Sequence, residues 1–99
     1  MRRAARTDAN HREIVAALRK AGASVADLSA VGGGVPDLLV GFRSRNWCLE
    51  VKDGKKPPSA RKLTPEQQAW VDDWRGQWAC VKSAEEAVEM VTRGACGGA

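Results

Sequence analysis

Three residues stand at spacings that suit chemistry on a phosphate: Asp37 directly after Pro36, then Glu50 and Lys52 in "WCLEVKDG". Side chains alternate between the two faces of a strand, so Trp47, Leu49 and Val51 line one side and Cys48, Glu50 and Lys52 the other. If the segment before it pairs with it as a hairpin folded about Ser44, Asp37 and Glu50 come within a residue or two of facing one another, and facing side chains in a sheet are only ~5 Å apart. Two carboxylates that close repel and raise a pKa unless a cation lies between them. A hard divalent ion with oxygen ligands, Mg2+ or Mn2+, satisfies such a pair, and the backbone carbonyl of Val51 offers a third oxygen. An ammonium beside the ion, that of Lys52, can orient an attacking water and steady the charge that builds on phosphorus. These are the requirements of phosphodiester hydrolysis.

Taken singly, the parts are ordinary. Glu-x-Lys on a strand is a common exposed pair, and an Asp after Pro is common turn chemistry. Their order, followed by a basic loop and a capped helix, is what makes coincidence the poorer explanation.

The elements that must position them can be read along the chain. Residues 1–7 form a basic arm expected to be flexible. A helix follows, with Asp8 as its cap, a stripe of Ile14, Ala17, Leu18 and Ala21, Glu13 beside the stripe, and Gly22 as the stop. "ASVADLS" reads as a strand and "VGGGVP" as a turn. "DLLVGF" (37–42) and "NWCLEVK" (46–52) read as a hairpin joined by "RSR". "DGKKPPSARK" is a basic loop without periodicity, expected to be mobile.

The next helix has Thr64 as N-cap, Pro65 at the first position and Gln67 completing a capping box, with Gly76 at its end. Gln67, Trp70, Val71 and Trp74 share one face, and the two tryptophans are expected to pack on the sheet. "WACVK" (78–82) is a strand, and Ser83 with Glu86 caps a helix through about Val91, before a tail at 93–99 expected to be disordered. The order is αβββαβ(α), and a helix between hairpin and last strand is the connection that lays parallel strands in one sheet. The expected fold is α/β: a mixed central sheet flanked by helices, with residues 8–92 as one domain.

The 99-residue length suits one small core, and 43% apolar with 28% charged residues is ordinary for a folded domain. No apolar run approaches the ~20 residues that span a bilayer, and the N-terminal arginines lack the apolar stretch of a secretion signal, so a cytoplasmic location is expected. Three cysteines (Cys48, Cys80, Cys96) make no CxxC pair, which argues against a disulfide framework or zinc site; Cys48 and Cys80 read as core and Cys96 as exposed. The lone His11 reads as a helix surface residue. A net charge of +4 is unevenly placed, with Lys52, Lys55, Lys56, Arg61 and Lys62 crowding the middle of the chain. Such clustering suits a polyanion, whose condensed counterions those side chains would release.

"GVPDLLVG", "WCLEVKDG" and "KLTPEQQAWVDDWRGQWACVKSAEEA" resemble the virus-type replication-repair nuclease domain, VRR-NUC, of the PD-(D/E)xK nuclease superfamily, over roughly Glu13 to Val91. The resemblance implies a restriction-endonuclease-like core with Asp37 and Glu50 as ligands of Mg2+ or Mn2+ and Lys52 as the catalytic lysine. It adds Glu13 on the first helix as a further ligand or nearby acid, and Gln67, whose capping-box position is a rival reason for its presence. It also implies DNA as partner, gripped by Lys55, Lys56, Arg61 and Lys62, with branched DNA such as four-way junctions as substrate, a homodimer, and a bacterial or phage-infected cell as the setting. The alternative is a DNA-binding module on the same fold that does no chemistry.

Overall fold

The computed structural model describes residues 8–93, so the arm at 1–7, the tail from 94 on and Cys96 lie outside the described residues. The elements are α1 (His11–Lys20), β1 (Ser24–Asp27), β2 (Leu38–Phe42), β3 (Arg45–Val51), a 3-10 turn (Pro58–Arg61), α2 (Pro65–Asp73), β4 (Trp78–Val81) and α3 (Ala84–Arg93). Strand order in the sheet is β1-β2-β3-β4. The first three strands are antiparallel neighbours, and β4 joins β3 in parallel through the α2 crossover. This is the expected α/β arrangement with a mixed sheet.

Register explains the core. The pairs Leu38–Leu49 and Val40–Trp47, with Leu49–Ala79 and Val51–Val81 across the parallel ladder, set seven apolar side chains on one face. Against that face lie Ile14 and Leu18 of α1 and Ala87 and Val91 of α3, all buried in one cluster. Each fully buried leucine, isoleucine or valine in such a layer contributes ~1.5–3 kcal/mol relative to exposure. Every residue of β3 from Trp47 to Val51 is buried on both faces, which is the property of a central strand.

Two local devices fix the strand ends. The β2–β3 turn is reduced to Arg43 and Ser44, both at positive φ (51° and 67°), as a two-residue hairpin turn requires for its twist to match the strands. Gly22, at φ 102°, ends α1 while the Ala23 amide bonds Leu18 O and the Gly22 amide bonds Arg19 O, the paired bonds of a glycine stop.

Several expectations are corrected. α1 starts at His11 with Asn10 as N-cap, so Asp8 stands outside the helix, and Ala21 is exposed rather than on the buried stripe. His11 is only 7% exposed, because its Nε2 bonds Asp27 Oδ2 at 2.9 Å across to β1. α3 runs on to Arg93, and the basic loop is partly ordered by its 3-10 turn.

Of the four tryptophans only Trp47 belongs to the core. Trp70 and Trp74 stack on each other, ring centroids 4.7 Å apart, instead of packing on the sheet, and no residue of α2 is buried. The helix ends at Asp73, before Gly76, because Trp74 turns extended and its indole N–H donates to Gln77 O at 3.1 Å. Gly76 has a different use: a Cβ there would sit 2.9 Å from the Trp74 ring.

Candidate active site

The site forms where β2 begins and β3 ends. The Leu38–Leu49 pair closes the antiparallel ladder, which leaves Asp37 and Glu50 next across from one another. Asp37 Oδ2 accepts the Val51 amide at 2.9 Å, so the first acid is held by the strand that carries the second. Glu50 is 3% exposed. Burial pushes its carboxyl up to about 8, the Asp37 carboxylate adds to the rise, and the Lys52 ammonium, 3.7 Å from Glu50 Oε2, opposes it. A buried carboxyl facing a second acid holds its proton more tightly unless nearby positive charge offsets the repulsion.

Gln67 bridges Glu50 on β3 and Lys52 just beyond it. Its Nε2 donates to Glu50 Oε2 at 2.9 Å, and its Oε1 accepts from Lys52 Nζ at 3.1 Å and from the Thr64 amide at 2.8 Å. The Thr64 hydroxyl accepts the Gln67 amide in return, completing the capping box. The two roles open for Gln67 are therefore held together: the bond that caps α2 also aims the side chain at the acid and the amine.

α2 is carried to this position by close backbone contact rather than by apolar burial. Gly34, at φ 86°, lies so near the Glu66 carbonyl that any Cβ would collide with it, and the glycine loop thereby seats the first turn of α2 over the strand ends.

An open cleft of about 390 Å³ gathers Asp37, Glu50, Val51, Lys52 and Gln67, and adds Asp8 and Lys56. Asp8 also contributes to the raised Glu50, and its Oδ1 lies 3.6 Å from Lys56 Nζ. A larger hollow beside α1 is lined by His11, Arg12 and Asp27. Of its two acids, Asp8 also lines the cleft, and Asp27 is already committed: burial alone would raise it, but bonds from the Ser29 hydroxyl and amide, together with His11, outweigh that and hold it at about 2.

No protein-family model matches the chain, and no curated protein does. Among solved structures, one described as a VRR_NUC domain matches with a TM-score of 0.61 and 24% sequence identity, covering 86% of this chain and 97% of its own. This chain has the fold of a VRR-NUC domain. The likeness read from the motifs is thus met by the fold, and what the site does rests on the residues that this VRR-NUC fold assembles.

It assembles most of those expected, but not all. Glu13 is exposed and lines a separate groove with Asn10, Asp53, Lys55, Lys82, Ser83 and Glu86, and it is not among the residues lining the cleft. The acid that the N-terminal segment does bring is Asp8, which the sequence presents as an unremarkable helix cap. Its signal was available only in combination, as an acid just ahead of a helix whose start must meet the strand ends. Among the basic residues, Lys56 reaches the cleft, Lys55 faces the Glu13 groove, Lys62 is exposed, and Arg61 is half-buried with its Nε unpartnered. Cys48 and Cys80, on the same sheet face as Glu50, have thiols pushed up by burial, so neither is poised as a nucleophile.

Proposed function

We propose that this chain is an endodeoxyribonuclease, dependent on Mg2+ or Mn2+, that hydrolyses phosphodiester bonds in DNA selected by structure rather than sequence. The observation that carries this reading is the convergence of Asp37 and Glu50 with Lys52 in one cleft. Among the described residues no three His, Cys, Asp or Glu side chains gather as a metal cage. Mg2+ does not need one: it commonly takes one or two carboxylates and fills its remaining positions with water and substrate oxygens. Asp37, Glu50 and the Val51 carbonyl fit that demand, and the charge Glu50 avoids by staying protonated is the charge such an ion would balance. A bound ion would polarise the phosphoryl oxygen and offset its developing charge.

The chain's own groups supply the rest. Lys52 Nζ, held by Gln67, stands where it can hydrogen-bond an attacking water or a phosphate oxygen. Lys56 lines the cleft, and with Lys55, Arg61 and Lys62 on the same basic loop it would offer positive charge to flanking phosphates, contacts that position DNA without reading its sequence. Branched DNA, above all a four-way junction, is the substrate we assign. A homodimer suits it, because two copies related by a two-fold axis would treat equivalent strands alike. The setting is the cytoplasm of a bacterial or phage-infected cell; among the described residues no helix is long and apolar enough to cross a membrane.

Labelled four-way junction, flap and plain duplex, incubated with Mg2+, Mn2+ or chelator, test the reading. Junction cleavage that needs the metal, and that falls by at least about 100-fold in Lys52→Ala while DNA binding persists, supports it. Binding without cutting by the intact chain would assign instead a module that only holds DNA. A sedimentation run with and without junction reads the dimer.

A further inference from the structure

The first helix begins with an asparagine that does not cap it. At an N-cap, an asparagine side chain ordinarily accepts a bond from an amide two or three residues on. Asn10 makes no such bond, and its backbone, at φ −89° and ψ 5°, lacks the extended shape that capping uses. Its Nδ2 donates instead to Lys82 O at 2.7 Å and to Lys52 O at 3.2 Å, while its Oδ1 is buried without a partner. Both contacts are carbonyls, so only the NH2 end of the amide fits.

The two carbonyls mark a fork. Lys52 and Lys82 are the first residues beyond the parallel strands β3 and β4, where one chain leaves for the basic loop and the other for α3. The Lys52 amide is bonded to Val81 O at 3.0 Å. With Asn10 on its carbonyl, both backbone polar groups of Lys52 are held, and only its side chain is left to span to Gln67 and Glu50. The same amide moors the segment that carries Asp8 to the cleft. A residue serving helix stability alone would cap its own helix; Asn10 forgoes that bond and leaves an oxygen unpaired to close the fork.

We propose that Asn10 is a positioning residue for the cleft, whose side-chain amide fixes the Lys52 backbone, and through it the ammonium, while holding Asp8 at the rim. This deepens the nuclease reading and rests on it.

The test uses the full chain with Asn10→Ala and Asn10→Gln, the second keeping an NH2 donor. Steady-state junction cleavage is measured beside DNA affinity in chelator and thermal midpoint. A separate arm follows the Lys52 signal by NMR after reductive methylation with labelled formaldehyde, assigned by its loss in Lys52→Ala. Positioning predicts that Asn10→Ala lowers kcat by at least about tenfold with KM and chelator affinity unchanged within about twofold. It predicts that Asn10→Gln restores most of the loss and that the Lys52 signal moves toward those of exposed lysines in Asn10→Ala alone. A lower thermal midpoint with kcat and the Lys52 signal unmoved would overturn it, as would equal losses in both variants. If Asn10→Ala does not fold, Asn10→Ser, which keeps one donor, carries the same comparison. Should the wild-type chain cut no DNA, the nuclease reading falls by itself, and the NMR arm alone decides whether Asn10 governs Lys52.

Discussion

Replacing Glu50 by glutamine isolates the electrostatic cost of the site. In the fold without metal, burial and Asp37 raise this carboxyl from an ordinary 4.5 to about 8. An acid whose folded pKa is raised holds its proton more tightly folded than unfolded, so the group costs nothing below about pH 4.5 and destabilises increasingly as pH rises toward 8. At 1.36 kcal/mol per pKa unit, the accumulated cost is about 3 kcal/mol by pH 7, a large share of the ~5–15 kcal/mol that holds a small domain together.

Glu50→Gln keeps the shape and an oxygen to accept the Gln67 bond but cannot ionise. Urea unfolding in chelator, repeated from pH 5 to 7.5, should therefore show the wild type losing about 3 kcal/mol relative to Glu50→Gln, whose own curve is flat with respect to this group. Comparing the two cancels contributions from the titrating groups that do not interact with Glu50. Excess Mg2+ should restore the wild type at pH 7.5 by about 2–3 kcal/mol at a hundredfold saturation and leave Glu50→Gln unmoved. Parallel pH profiles, or a glutamine variant less stable than the wild type at pH 7.5, would refute the claim that Glu50 is held against its charge for a cation.

Other outcomes follow from the same geometry. Asp8→Ala should lower junction cleavage by about tenfold or more while Glu13→Ala leaves it within about twofold, a contrast in initial rates that separates the acid in the cleft from the acid outside it. Thr64→Ala should cost about 1 kcal/mol in urea unfolding through the lost cap, and should also lower kcat because the Gln67 bridge loosens with it. Asp27, held at about 2 by Ser29 and His11, contributes stability that is present above its ordinary 3.8 and lost as pH falls toward 2; Asp27→Asn should show a shallower acid unfolding curve in that window by circular dichroism.

Much of the architecture was legible because it is written in local patterns. Alternation in "DLLVGF" and "NWCLEVK" marks the hairpin, and the short polar stretch between them leaves little freedom in how they pair, so the sequence alone implies that Asp37 and Glu50 come close together. Thr64-Pro65-x-Gln67 announces its helix start by composition alone. The errors cluster where a side chain's partner lies far along the chain. His11 reads as surface because its partner Asp27 lies 16 residues away, and Trp70 and Trp74 read as core because apolar area favours burial, whereas the structure stacks the two rings on each other.

By itself, the sequence determined the element order, a hairpin that brings two acids within a residue or two of each other, and the residue types available for phosphate chemistry, since all three depend on spacing and composition within a few residues; the exact register, with a turn of Arg43 and Ser44, came from the structure. The tertiary structure decided which acid comes from the N-terminal segment, Asp8 rather than Glu13, and that Gln67 bridges Glu50 to Lys52 while Asn10 ties the two strand ends. The reason is geometric. Those contacts join residues from 15 to 72 positions apart, and which side chain reaches a shared cleft depends on how a helix is rotated and docked, a quantity set by the packing of the whole core and carried by no local run of residues.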